Sequence, residues 1–220
     1  MGFFWGSFGW LLVLFWYWFA TVLLEWLEGF LLVLIVWLGL MHNFILASWY
    51  DYFIMVELDA IFARRSIRKY TSEPVSDEDV KKLLEAAMAA PSGGNKKPWH
   101  FITVTNRETL DRLEEEQPYG RMLREAPLCI IVCYDPSHRT PQTPQNFVSQ
   151  DCSAATMNIL HAAVALGLGA VWLGAALGAH ELLGVPDNII PHNMIVVGHP
   201  AEDKEPRTQY DEARVHKELW

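Results

Sequence analysis

The sequence predicts an α+β fold, a layered sandwich of helices and strands preceded by a hydrophobic N-terminal helical segment. Three observations point there. Beyond residue 55, short apolar runs of strand length alternate with segments of helical period. One segment, 151–168, is small and apolar nearly all round, which suits a helix at the centre of a layered fold. The first 54 residues carry no Lys or Arg and only three acids, Glu25, Glu28 and Asp51.

Residues 1–24 and 29–50 are uncharged apart from His42, and each stretch has the ~20 apolar residues that a bilayer span requires. Glu25-Trp26-Leu27-Glu28 separates them, which allows two tight spans or one span with an interfacial helix. No basic n-region precedes the apolar run, so a cleavable signal peptide is not expected. Residues 1–54 are therefore either a membrane anchor or a non-native extension. Met55-Val56-Glu57-Leu58-Asp59-Ala60-Ile61 reads as the natural start of a domain over 55–220. The first basic cluster, 64–69, follows the apolar run closely, which favours a cytoplasmic domain.

Leu58, Ile61 and Phe62 have helical spacing and open the domain with a short helix. Ser76-Asp77-Glu78-Asp79 resembles a capping box, and Val80, Leu83, Leu84, Ala87 and Met88 supply the apolar face behind it. Pro91 stops that helix, and Ser92-Gly93-Gly94-Asn95 makes a loop. A strand is expected over 101–104, an acidic surface helix over 107–116 and a buried strand over 128–134. A polar, Pro-rich loop runs from Asp135 to about Phe147, ahead of the central helix over 151–168. Strands over 170–173 and 194–197 follow, and the tail from Pro200 is charged and irregular.

All 17 basic residues lie after Met55, against 23 of the 26 acids, so that part carries a net charge of −6. Such a balance argues against a general nucleic-acid binder, which needs a basic face. Cys129 and Cys133 flank Ile130-Ile131-Val132, and no Cys-x-x-Cys pair occurs; with Cys152 they read as reduced core thiols. The spacing of His192 and His199 fits no zinc pattern, and no metal is expected. Asp151, Ser153 and His161 share one helix without a recognisable nucleophilic triad. Gly167-Leu168-Gly169 lacks a third glycine and follows a helix, so no Rossmann fingerprint is present.

Arg64-Arg65-Ser66-Ile67-Arg68 packs three guanidiniums and a hydroxyl into five residues, a donor set that suits phosphate. Alone it reads better as an exposed basic turn. In order along the chain it is joined by Ala-Pro-Ser-Gly-Gly-Asn-Lys-Lys-Pro-Trp-His-Phe (90–101), Gln-Asp-Cys-Ser-Ala-Ala-Thr-Met-Asn-Ile-Leu (150–160), Gly-Leu-Gly-Ala-Val-Trp-Leu-Gly (167–174) and Val-Gly-His-Pro-Ala-Glu (197–202). This set resembles the short form of the nitroreductase family over essentially all of 55–220.

The resemblance implies a three-layer α/β/α sandwich with a mixed sheet, assembled as a homodimer with FMN held non-covalently at the subunit interface. By position, Arg64, Arg65 and Ser66 would hold the FMN phosphate and ribityl end, joined by Arg207 from the tail. Arg68 would sit by the pyrimidine edge of the ring, with Arg121 assisting. Ser92, Gly93 and Asn95 would reach the flavin bound mainly by the other subunit. Leu173 and Gly174 would offer backbone N–H groups to the reactive edge. NAD(P)H would act as co-substrate, and a nitroaromatic, quinone or similar small acceptor would take the electrons in a ping-pong cycle. No side-chain acid or base is required.

Two departures from the family pattern stand out. Lys97 precedes the Pro-Trp pair where the family usually has Gln. Gly174 reaches Glu181-Leu182-Leu183-Gly184-Val185-Pro186 through a shortened segment, which would open the site or alter substrate choice. Alternatives are a membrane-anchored reductive dehalogenase of the same superfamily and a non-enzymatic flavin-binding membrane protein.

Overall fold

Helices cover both faces of one sheet, and that arrangement explains why its strands are apolar on both sides. The computed structural model describes residues 17, 60–139, 141 and 146–220. The chain divides into two units, Met1–Val56 and Glu57–Trp220. The hydrophobic helical anchor expected over 1–54 lies outside the described residues apart from Tyr17. Among the described residues no helix is long and apolar enough to cross a membrane.

In the second unit, residues 60–63 form a helical turn. Helix α1 spans Asp77–Met88. Ser76 caps it by accepting the Asp79 amide at 3.1 Å, and Asp77, Glu78 and Asp79 lie at the positive end of its dipole. Strand β1 (Trp99–Val104) and helix α2 (Arg107–Glu115) follow, the latter capped by Asn106, which accepts the Thr109 amide at 3.0 Å. Then come β2 (Leu128–Tyr134), the long helix α3 (Asn146–Ala165), β3 (Gly169–Leu173), a four-residue helix α4 (Ala179–Leu182) and β4 (Ile190–Gly198).

The strand order is β1-β2-β4-β3, and every neighbouring pair is antiparallel. This corrects the mixed sheet expected from the sequence. Helix α3 carries the chain from β2 to β3 in the same strand direction, as in a parallel crossover, but leaves a one-strand gap. Strand β4 fills the gap running the other way. Among the described residues, parallel pairing is confined to one isolated bridge, Ser66 with Ala170.

Period-two alternation divides each strand between two cores. Leu128, Ile130, Val132, Ala170, Ile195 and Val197 pack with α1 and α3. Cys129, Ile131, Val171, Leu173, Met194 and Val196 pack with α2 and α4. The molecule thus has three layers. All three cysteines are free and buried, and burial pushes each thiol well above its usual range.

Candidate functional site

The basic cluster is positioned by β-type pairing on two sides. On one side Ile67 donates to the Ala170 carbonyl at 3.1 Å, which lays 64–68 parallel to β3. With a rise of ~3.3 Å per residue, the segment then advances from Ser66 toward the Leu173–Gly174 end of that strand. Gly169 permits this approach, since a Cβ there would stand 2.7 Å from Ile67 Cγ2. On the other side the chain leaving β4 runs back antiparallel. Thr71 donates to the His199 carbonyl at 3.0 Å, Ala201 to Lys69 at 2.9 Å and Arg207 to Phe62 at 3.1 Å. Arg65 reaches the Glu205 carbonyl through its guanidinium.

Two cavities result. The smaller, of about 290 Å³, is lined by Arg64, Arg65, Ser66, Arg68, Lys204 and Arg207, with Ile61 and Gln209 at its edge. No acid lines it. Lys204 Nζ donates to the Ser66 carbonyl at 2.6 Å and to Glu202 Oε1 at 2.9 Å. The same carboxylate accepts the Arg68 amide at 2.6 Å. That amide, followed by the Lys204 ammonium, holds the Glu202 carboxyl below its ordinary range. The larger cavity, of about 1090 Å³, adjoins through Arg68 and includes Lys69, Arg121, Met122, Trp172, Leu173 and Gly174. Arg121, expected to assist Arg68, lines this second cavity together with it.

Ser92, Gly93 and Asn95 line neither cavity. They form a 3-10 turn fastened to α3, where Gly93 donates to Asp151 Oδ1 at 3.1 Å and Lys97 donates to Ser92 Oγ at 3.0 Å. Asn95 and Lys97 adopt positive φ of 54° and 49°. Left-handed backbone at a non-glycine costs about 1–2 kcal/mol, less for Asn, and the two anchoring bonds hold the turn in that shape. Asp151 is thereby committed to the turn. Ser153 Oγ stands 3.4 Å from His192 Nε2, and among the described residues no carboxylate is hydrogen-bonded to that imidazole. Among the described residues no group of three or more His, Cys, Asp or Glu side chains is placed to hold a metal.

The family model described as "Nitroreductase family" matches residues 61–117 and 111–199. This chain belongs to the nitroreductase family. A relative from Archaeoglobus fulgidus, described as "Putative NADH dehydrogenase/NAD(P)H nitroreductase", is 44% identical over 172 residues, covering 74% of this chain and 98% of that one. The solved structure of an FMN-dependent nitroreductase from Clostridium difficile superimposes with a TM-score of 0.68 at 29% identity, over 74% of this chain and 99% of its own. The NADPH:FMN oxidoreductase of Vibrio harveyi, solved with NAD+, gives 0.66 at 26% identity, over 74% and 77%.

Within this nitroreductase-family domain the stretch after Gly174 is a braced loop. Gln117 Nε2 donates to the Leu177 carbonyl at 3.1 Å, and Gly178 turns at φ +70° against Glu116. Sequence reading missed Lys204 and Glu202, since Glu202-Asp203-Lys204-Glu205 alternates in charge with no periodic signal of which side chain turns inward. It also missed Lys69 and Gln117 at the larger cavity.

Proposed function

We propose that residues 55–220 form an FMN-dependent NAD(P)H oxidoreductase that serves a nitroaromatic, quinone or similar small acceptor by a ping-pong cycle. The acid-free pocket in which Arg64, Arg65, Ser66, Lys204 and Arg207 converge carries this reading. A phosphate monoester brings close to two negative charges and three acceptor oxygens, and guanidiniums with a hydroxyl match both. Bound FMN would supply two-electron chemistry between reduced nicotinamide and acceptor. The chain would hold the phosphate and ribityl end with that donor set, with Arg68 by the ring's pyrimidine edge and the backbone amides of Leu173 and Gly174 toward its reactive edge. The FMN dependence of the Clostridium difficile relative supports the cofactor.

The working form on this reading is a homodimer. The exposed or half-buried residues Phe147, Gln150, Ala154, Met157, His161 and Ala165 recur at helical spacing along α3 without an acid, Lys or Arg among them. The partner's copy of the turn at Ser92, Gly93 and Asn95 would then complete each site. Residues 1–54 add no ligand, and as an anchor they would leave the domain on the cytoplasmic side. Chain lacking residues 1–54 is expected to run at twice its mass, to carry a yellow flavin and to oxidise NADH or NADPH with menadione or nitrofurazone. A folded, colourless monomer that takes up no added FMN overturns the proposal. FMN uptake without turnover would make the domain a flavin-binding module.

Gly174 offers a sharper test. A Cβ there would meet no protein atom within 4 Å, and its φ is not positive, so the fold itself does not demand glycine. A ligand lying against the backbone does. Gly174→Val is therefore expected to leave the melting temperature of the flavin-free protein nearly unchanged, within the ~0.5 kcal/mol of an unconstrained surface site. FMN affinity should fall at least several-fold. Parent-like FMN titration would remove Gly174 from the site.

A further inference from the structure

The larger cavity is cationic in a domain that is acidic as a whole. Arg68, Lys69, Arg121 and Arg124 line it, with Glu125 as the single acid. Their commitments differ. Arg124 Nε pairs with Glu114 Oε2 at 2.9 Å. Arg68 belongs, on the functional reading above, to the flavin edge. The side chains of Lys69 and Arg121 make no hydrogen bond or ion pair among the described residues.

Both are held by rigid surroundings. Lys69 follows the segment pinned between β3 and the tail, and its carbonyl accepts the Ala201 amide at 2.9 Å. Arg121 opens a 3-10 turn whose next two residues, Met122 and Leu123, are buried. The turn before it is tight, since a Cβ at Gly120 would stand 2.4 Å from Gln117 Cβ. Pro118, Met122, Leu173 and Leu177 add apolar wall to the same cavity. Low-dielectric walls strengthen charge pairing and focus the field into the cavity.

We infer that Lys69 and Arg121 form an anion-binding subsite that receives a carboxylate or phosphate carried by the substrate beside its planar ring. The inference rests on the larger cavity being the substrate side of the flavin site. Two sources share this chemistry: the pyrophosphate of the nicotinamide dinucleotide and an acidic substituent on the acceptor. In a ping-pong cycle both occupy the same space in turn, so one pair of cations can serve each.

The test compares charged with neutral ligands in the full chain. Calorimetry measures 4-nitrobenzoate and nitrobenzene binding to the parent, Lys69→Gln, Arg121→Gln and Arg121→Lys. Loss of one charge-assisted contact is expected to lower the 4-nitrobenzoate-to-nitrobenzene affinity ratio about tenfold in the Gln variants, with most of it retained in Arg121→Lys. For the donor, stopped-flow bleaching compares NADH with uncharged 1-benzyl-1,4-dihydronicotinamide. A tenfold fall in that ratio assigns the pair to the pyrophosphate, and a fall only with 4-nitrobenzoate assigns it to the acceptor. Both ratios unchanged, or FMN affinity falling as much as that of 4-nitrobenzoate, overturns the subsite. Calorimetry needs no flavin signal, so a protein that binds no FMN refutes the functional reading while still reporting on Lys69 and Arg121.

Discussion

Arg64→Ala and Arg207→Ala are each expected to weaken FMN binding roughly ten- to hundredfold. The two side chains enter the small pocket from opposite ends of the domain's sequence, and both are carried on fixed backbone. Arg64 donates its amide to Ala60 at 3.2 Å and Arg207 to Phe62 at 3.1 Å. Truncation to Ala therefore removes the guanidinium and leaves its support in place. A hydrogen bond to a charged group contributes on the order of 1.5–3 kcal/mol, and each 1.4 kcal/mol is about tenfold in affinity. The double variant should lose less than the sum of the two, since both groups would grip one phosphate. Fluorescence titration of flavin-free protein with FMN reads all three. If Arg64→Ala titrates as the parent does, the cluster is not the phosphate site.

Arg68→Ala is expected to act on reduction more than on binding. Arg68 alone among the cluster lines both cavities, the smaller one proposed for the phosphate and the larger one that includes Leu173 and Gly174. A cation there favours the negative charge that bound flavin gains on reduction. If its contribution is that of one charge-assisted bond, about 1.5–3 kcal/mol, the two-electron midpoint potential should drop by roughly 30–60 mV. Bleaching by NADH should slow, while FMN affinity falls less than in Arg64→Ala. Spectroelectrochemistry and stopped-flow absorbance read the two parts. An unchanged potential together with an unchanged bleaching rate would move Arg68 away from the ring and require reassignment of the whole segment.

The parts legible in the sequence were those whose environment is uniform along the chain. Strand β2 is buried on both faces from Leu128 to Cys133, so its apolar run has the ends of the strand. After Ile190, strand β4 continues with Pro191, His192 and Asn193, polar or ring-constrained residues that break the apolar run, and only its inner part was readable. Helix α3 starts at Asn146, ahead of the expected Asp151, because its first turn mixes Asn146, Ser149 and Gln150 with Phe147 and Val148. Helix α4 is four residues long, too short for a period of 3.6 to register.

At the site, Arg64, Arg65, Ser66 and Arg68 are contiguous and were visible as a cluster. That Arg207 joins them depends on the tail running back along the segment, a long-range pairing that no local pattern encodes. Arg121 shows the converse. Its charge was visible, but which of two adjoining cavities it enters is decided by the tight turn at Gly120.

The segment that carries the basic cluster also lies along β3, an outer strand of the sheet. An outer strand presents unpaired amides and carbonyls that can recruit a strand from another molecule. Here Ile67 occupies one of those carbonyls, and the neighbouring Arg64, Arg65 and Arg68 surround the edge with like charge. On the proposed function, cofactor retention and resistance to aggregation share one structural element. A lesion that frees this segment would strip the flavin and expose a pairing-competent edge together, so colourless protein and insoluble protein would be the same population.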